Sequence, residues 1–175
     1  HNPDTRGAGG TAYDTQEVLR EILKYERYIV SGGVTVSGGE PLVQAEFFAE
    51  LFSLLKQRGI HTALDTSGCV FDPANEEAKT ATDRLLDHTD LVLLDIKHID
   101  ENANILAFAK YLAERGNKAW IRHVLVPGYT DDDDALKRLA DFVWALPNVE
   151  KTEILPYHTM GKVKYEKMGL AYPLE

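Results

Sequence analysis

The sequence predicts an α/β fold in which about five parallel β-strands curl into an incomplete β/α barrel. Three observations lead to this prediction. Short apolar runs alternate with amphipathic segments, and the connections between them are short, as in successive right-handed β-α-β units. Polar residues fall at the C-terminal ends of these runs, the edge where a β/α barrel builds its site. Five strands do not close a barrel of ordinary size, so the barrel is expected to be partial.

The first helix and the first strand follow a polar, glycine-rich start. Asp14 or Thr15 can cap a helix whose apolar residues recur at helical spacing, namely Val18, Leu19, Ile22 and Leu23. The β-branched run at 34–37 then predicts a strand. Because side chains alternate along a strand, it has one apolar face, with Val34 and Val36, and one polar face, with Thr35 and Ser37.

A glycine-rich turn, Ser37-Gly38-Gly39-Glu40-Pro41, joins this strand to the next helix. Gly38 and Gly39 have no Cβ, so their backbone N–H and C=O groups can approach a bound molecule closely. Pro41 suits the first turn of a helix, and residues 43–57 carry an apolar side that Gly59 ends. A tight strand-to-helix connection that binds no ligand can have the same residues, so the turn alone does not establish a binding site.

The remaining elements continue the alternation. Further strands are predicted at 60–65, 91–96, 119–126 and 151–155, and further helices at 73–87, 105–114 and 131–145. The strand at 91–96 is continuously apolar up to Asp95, as expected of a strand buried on both faces. The run Asp131 to Asp134 is interpreted as a helix start, where carboxylates meet unpaired backbone N–H groups. Residues 160–175 show no strong period.

Composition limits the classes of function. At 175 residues, the chain is expected to form a single domain over 1–175. A net charge of −9 without a basic stripe argues against a nucleic-acid partner. No apolar stretch approaches the ~20 residues of a membrane span and no signal peptide is seen, which predicts a cytoplasmic protein with no membrane partner. Cys69 is the only cysteine, so neither an internal disulfide nor a cysteine-built metal site fits within these residues.

Polar side chains at the predicted strand ends are the candidate site: Ser37, Asp65, Asp95, Lys97 and His158. Asp95 follows four apolar residues, so its carboxylate is expected to be partly desolvated and to need a cation. Lys97 offers a point charge to a carboxylate or a phosphate. A ligand that carries both an ammonium and a carboxylate group would satisfy both residues.

Each of these residues also has a structural interpretation. Asp65 could form a turn before Gly68, and Asp95 with Lys97 could be a solvent-facing ion pair. A lone histidine such as His158 is more often structural, although a neutral imidazole can bond a ribose hydroxyl or an adenine edge. His98, His123 and Cys69 show no partner pattern and are treated as bystanders.

Several motifs occur in one order along nearly the whole chain. They are Ser37-Gly38-Gly39-Glu40-Pro41, Leu64-Asp65-Thr66-Ser67-Gly68, Leu94-Asp95-Ile96-Lys97, Trp120-Ile121-Arg122, Val126-Pro127-Gly128-Tyr129-Thr130 with the four aspartates, and Leu155-Pro156-Tyr157-His158. In this order they resemble the pyruvate formate-lyase activating family of radical S-adenosylmethionine (SAM) proteins. Gly-Gly-Glu is shared by that superfamily, whereas the Pro-Gly-Tyr-Thr-Asp and Leu-Pro-Tyr-His segments are specific to activases of this type.

The resemblance implies a partial (β/α)₆ TIM-like barrel with a [4Fe–4S] cluster and SAM at the C-terminal mouth of the strands. An electron from the cluster cleaves the sulfonium, and the adenosyl radical takes a hydrogen atom from a glycine of pyruvate formate-lyase. Flavodoxin is the usual electron donor in the family. No cysteine-bearing insert separates His1 from the first helix, which favours this type over activases of glycerol or choline lyases.

Roles follow from the resemblance residue by residue. The backbone of Ser37, Gly38, Gly39 and Glu40 faces the methionyl ammonium group, and Lys97 faces the methionyl carboxylate. His158 matches a residue on the nucleoside, and Arg122 is similar to a position near the bound glycine loop. Three positions match those that hold a monovalent cation beside the methionyl carboxylate: Asp65, Thr66 and Asp95.

The chain also departs from the family pattern. The cluster is held by a C-x-x-x-C-x-x-C motif, and His1 to Thr5 resembles the segment that directly follows the third cysteine. The three ligands, the first strand and the C-terminal end are therefore expected to lie outside this chain, and Cys69 cannot replace three thiolates. We expect this polypeptide alone to bind no cluster and to have no radical activity, whereas the intact protein would have both.

Two other functions are compatible with parts of the sequence. Asp95-Ile96-Lys97-His98-Ile99-Asp100 matches D-x-K-x-x-D, a signature of the cofactor-free barrel lyases of the orotidine monophosphate decarboxylase group. That match leaves the other motifs unexplained. A non-catalytic fragment that docks on a partner protein is the third possibility, which an open strand-end site would disfavour.

Overall fold

The computed structural model describes residues 11–100 and 103–157. His158, the stretch 160–175 and the segment His1 to Thr5 lie outside the described residues. The helices are α1 Thr15–Leu23, α2 Glu26–Ile29, the 3₁₀ helix Pro41–Gln44, α3 Ala45–Lys56, α4 Glu76–Leu86, α5 Ala103–Arg115 and α6 Asp133–Trp144. The strands are β1 Val34–Val36, β2 Thr62–Thr66, β3 Leu91–Asp95, β4 Ala119–Leu125 and β5 Val149–Pro156.

The strands form one parallel sheet in the order β1-β2-β3-β4-β5. Each strand therefore pairs with the next one in the chain, and the order never reverses. A doubly wound sheet reverses its strand order at a switch point, whereas a barrel adds each strand on the same side. The order confirms the predicted α/β fold, an open sheet consistent with a partial TIM-like barrel.

The two faces of the sheet differ in burial. On β3, Val92 and Leu94 are fully buried, whereas Leu93 and Asp95 on the other face are only partly buried. The buried face packs against the helices, with Leu64 of β2 and Ile121 of β4 beside these two residues. The expectation that this strand is buried on both faces is wrong, because the inner face of an open barrel has no layer to cover it.

Capping residues set where the helices begin. Asp14 caps α1 in a capping box with Glu17, and Asp132 caps α6 through the amide of Ala135, as the acidic run predicts. Helix α4 begins at Glu76 rather than 73, because Asn75 accepts from the Ala78 amide. The short α2 and the 3₁₀ helix at Pro41–Gln44 were not predicted.

Asp90 ties the N-terminal ends of two strands together at the edge opposite to the candidate site. Its carboxylate accepts hydrogen bonds from the Thr62 amide at 2.9 Å and from Lys56 Nζ at 2.5 Å. Burial alone would raise the pKa of Asp90, but the bonds from Lys56 and Thr62 outweigh burial and lower it. The ionised form is therefore the one that stabilises the fold.

Asp90→Asn is expected to lower the free energy of unfolding by about 1 kcal/mol near neutral pH. Because the folded pKa lies below the unfolded one, the contribution of Asp90 is present above about pH 4 and is lost as the pH falls through the folded pKa. Urea unfolding across this range should show the wild type and the variant converging in acid. A difference that persists in acid would contradict the assignment; the exposed Asp141→Asn is the control.

An apolar groove of about 700 Å³ lies on the outer side of β5 beside α6. Its lining includes Leu136, Leu139, Val143, Trp144, Val149 and Ile154. Within residues 11–100 and 103–157, every helix is too short or too polar to cross a membrane.

Candidate functional site

The turn after β1 leaves its backbone open to a ligand. Gly38 has a φ of 87° and Gly39 a φ of 58°, a region that L-residues with a side chain rarely adopt. A Cβ built on either glycine would meet no atom within 4 Å, so open space borders the turn. The amide and carbonyl groups at the end of β1 can therefore be approached directly.

The Glu40 carboxylate holds this turn against the end of β2. One oxygen accepts from the Leu42 amide at 3.1 Å and from the Thr66 hydroxyl. The other accepts from the Ser67 amide at 3.1 Å and the Ser67 hydroxyl at 2.7 Å. Four donors thus occupy the carboxylate, so the Glu40 side chain shapes the site while the backbone of the turn stays available.

Arg122 bridges two carboxylates on the inner face of the sheet. Its Nε donates to Asp95 at 2.9 Å, and its Nη2 donates to Asp65. Ser37 Oγ donates to the other oxygen of Asp65 at 3.1 Å, which extends the chain of contacts from β4 back to the end of β1. Three of the strand-end residues predicted to converge are therefore joined through Arg122 in one cluster. We call it the strand-end cluster: Ser37, Asp65, Asp95 and Arg122.

The three charged side chains of the strand-end cluster are largely shielded from water, whereas Ser37 is exposed. The side chains of Arg122, Asp65 and Asp95 are 19%, 21% and 27% exposed. Burial alone would lower the pKa of Arg122, but the neighbouring Asp95 and Asp65 carboxylates outweigh burial and raise it. Arg122 thus stays charged, and it is the cation that the partly desolvated Asp95 needs.

The remaining predicted site residues lie around this cluster. Lys97 follows β3 by two residues, and its side chain is exposed at the rim. Thr66 is buried on the opposite face from Asp65, where its hydroxyl donates to Glu40 and accepts from the Gly68 amide at 2.9 Å. His158 lies outside the described residues.

Comparison with known proteins identifies the family of this chain. Residues 1–140 match the family model described as the Radical SAM superfamily. A pyruvate formate-lyase-activating enzyme of Listeria monocytogenes is 47% identical, over 100% of this chain and 75% of its own length. The chain belongs to the pyruvate formate-lyase-activating enzymes of the radical SAM superfamily.

Solved structures agree with this family. A domain of pyruvate-formate lyase-activating enzyme from Bacteroides vulgatus superposes with a TM-score of 0.64 and 29% identity, over 79% of this chain and 96% of that one. SuiB of Streptococcus suis, solved with bound S-adenosylmethionine, superposes with a TM-score of 0.65 over 93% of this chain and 40% of that one. At 16% identity, SuiB supports only the fold of this activating-enzyme chain.

The residues of this activating-enzyme chain fit SAM. A methionyl group carries an ammonium, which suits carbonyl oxygens, and a carboxylate, which suits a lysine. The open glycine turn supplies the first kind of partner, and Lys97 supplies the second at the same edge of the sheet.

The same residues do not fit an iron–sulfur cluster. Thiolates hold such clusters, and the chain has one cysteine, the exposed Cys69. Among the described residues, no group of three His, Cys, Asp or Glu side chains is placed to hold a metal ion.

The residues of the lyase motif D-x-K-x-x-D have different partners in this activating-enzyme chain. Asp100 pairs with Arg138 of α6 at 2.6 Å, whereas Asp95 pairs with Arg122. The two aspartates of D-x-K-x-x-D thus have separate arginine partners on different elements.

Sequence reasoning missed the contacts of Arg122 and of His123. It did not pair Arg122 with Asp65 and Asp95, although Arg122 and Asp95 are register partners on adjacent strands. It also found no partner for His123, whose two ring nitrogens lie against backbone carbonyl oxygens. Only the strand register and the loop conformation could have revealed these contacts.

Proposed function

We propose that the chain forms the SAM-binding barrel of an enzyme that activates pyruvate formate-lyase by forming a glycyl radical, with residues 1–175 as one domain. When bound and reduced by one electron, SAM supplies the carbon radical that removes a hydrogen atom from the target glycine. The observation that carries the proposal is the open glycine turn beside the strand-end cluster.

The site residues bind and orient the methionyl group. Backbone carbonyl groups of the turn from Ser37 to Glu40 accept hydrogen bonds from its ammonium, and Lys97 Nζ pairs with its carboxylate. His158 is proposed to contact the nucleoside.

A monovalent cation is proposed beside the methionyl carboxylate, held by the carboxylates of Asp65 and Asp95. Thr66 would contribute only its main chain, since its side chain is buried on the opposite face. Arg122 now occupies oxygens of both aspartates, so the cation requires the guanidinium to move. A displaced Arg122 could then bond the backbone of the glycine loop of pyruvate formate-lyase. Arg122 thus neutralises the two carboxylates before the cation binds, and it contacts the protein substrate afterwards.

The groups that deliver the electron to SAM are proposed to lie outside residues 1–175. We place the thiolate ligands of a [4Fe–4S] cluster outside the chain and expect flavodoxin as the electron donor. We also propose a cytoplasmic location and a role in anaerobic metabolism. This 175-residue polypeptide is accordingly proposed to bind SAM without radical activity.

Isothermal titration of the chain with SAM tests the proposal. We expect binding that is at least tenfold weaker for 5′-methylthioadenosine, which lacks the amino-acid group, and for Lys97→Gln. Lys137→Gln, at an exposed lysine on α6, is the matched control and should bind SAM like the wild type. Equal affinity for SAM and 5′-methylthioadenosine would contradict recognition of the methionyl group.

A further inference from the structure

His123 is a buried histidine on the face of β4 that packs against the helices, and only 3% of it is exposed. Its Nδ1 lies 2.7 Å from the carbonyl oxygen of Ile96, and its Nε2 lies 3.3 Å from the carbonyl oxygen of Thr130. Ile96 directly follows β3 and precedes Lys97, whereas Thr130 follows β4. One ring therefore joins two segments at the C-terminal rim of the sheet.

The contact with Ile96 is a hydrogen bond that the ring donates. A carbonyl oxygen can only accept, so the short contact requires the proton on Nδ1. The Ile96 amide in turn donates to the Arg122 carbonyl at 2.9 Å. Both backbone polar groups of the residue before Lys97 are thus held by β4, one through the main chain and one through the His123 ring.

The contact with Thr130 reaches a loop that already has a fixed shape. The Thr130 amide donates to the Val126 carbonyl at 3.0 Å, and the Val126 amide donates to the Thr130 hydroxyl at 2.7 Å. The loop 126–130 therefore behaves as a closed unit, and the edge of the His123 ring sets its position relative to the end of β3. At 3.3 Å, the contact of Nε2 with Thr130 is longer than the contact of Nδ1 with Ile96, so it acts on the loop mainly through packing of the ring edge.

We infer that His123 is a positioning residue for the candidate site. Through the Ile96 carbonyl it fixes the backbone from which Lys97 projects, and through its ring edge it seats the loop 126–130. His123 itself touches no ligand. The inference rests on the proposed role of Lys97 in binding the methionyl carboxylate.

Two variants separate the role of the His123 N–H donor from the role of its ring. His123→Phe keeps a ring of similar volume and removes the donor, whereas His123→Asn keeps an amide donor near the Nδ1 position and removes the rest of the ring. We expect about tenfold weaker SAM binding for His123→Phe and an affinity within about threefold of wild type for His123→Asn. The Thr130 amide hydrogen should exchange about tenfold faster in His123→Asn than in the wild type, because the ring edge is lost. In His123→Phe, which keeps a ring, it should exchange at close to the wild-type rate.

Exchange of the Ile96 amide distinguishes failure of the inference from failure of the proposed function. If the wild type binds SAM and His123→Phe binds it equally well, His123 does not position Lys97 and the inference is overturned. If the wild type does not bind SAM, the proposed function fails. In that case, faster Ile96 exchange in His123→Phe but not in His123→Asn supports the positioning role, and equal exchange in both overturns it.

Discussion

Glu40→Ala is expected to lower the free energy of unfolding by about 3 kcal/mol and to abolish measurable SAM binding. The Glu40 carboxylate accepts from the Leu42 and Ser67 amides and from the Thr66 and Ser67 hydroxyls. Removing it leaves partly buried donors without an acceptor, which costs more than the net value of the bonds themselves. The glycine turn also loses its attachment to the end of β2.

Urea unfolding and SAM titration measure the two effects of Glu40→Ala. Glu50→Ala, at an exposed position on α3, is the control for loss of one negative charge, and it should change stability by less than about 0.5 kcal/mol. If Glu40→Ala retains both the stability and the SAM affinity of the wild type, the carboxylate does not hold the turn.

Arg122→Met is expected to destabilise the chain by about 2 to 3 kcal/mol. The substitution keeps most of the side-chain volume but leaves Asp65 and Asp95 facing each other without their shared cation. Removing one partner of a largely buried ion pair leaves an uncompensated charge, and here two carboxylates are left. Arg138→Met removes a more exposed pair with Asp100 and should cost less than about 1 kcal/mol.

The same variant tests the proposed cation site. With Arg122 absent, a small monovalent cation should restore part of the stability, whereas tetramethylammonium at the same ionic strength should restore less. Denaturant unfolding in the two salts measures this difference. An unfolding free energy equal to that of Arg138→Met would show that Arg122 does not neutralise the two aspartates.

The parallel order of the strands and the edge that carries the site follow from the sequence. Alternation of apolar runs and helices sets the order, and parallel strands bring Ser37, Asp65 and Asp95 to one edge whatever the details of packing. The helix start at Asp132 was predictable as well, because its cap is formed within four residues.

Contacts between distant segments were not predictable in the same way. Glu40 meets Thr66 and Ser67 only because of the positive φ angles at Gly38 and Gly39 and the 3₁₀ helix that follows. The pairing of Arg122 with Asp65 spans two strands and depends on register. A residue pattern gives the face of a side chain, but it gives neither the register nor the conformation of a turn.

The methionyl group of SAM is proposed to bind at the strand ends, between the glycine turn and the rim beside β3. Amide NMR spectra of the isotopically labelled chain, recorded while SAM is added, test it most directly. We predict that the largest shifts occur at Ser37, Gly38 and Gly39 and at Asp95 to Lys97. Shifts confined to the apolar groove beside Trp144 and Ile154, with the strand ends unchanged, would contradict it.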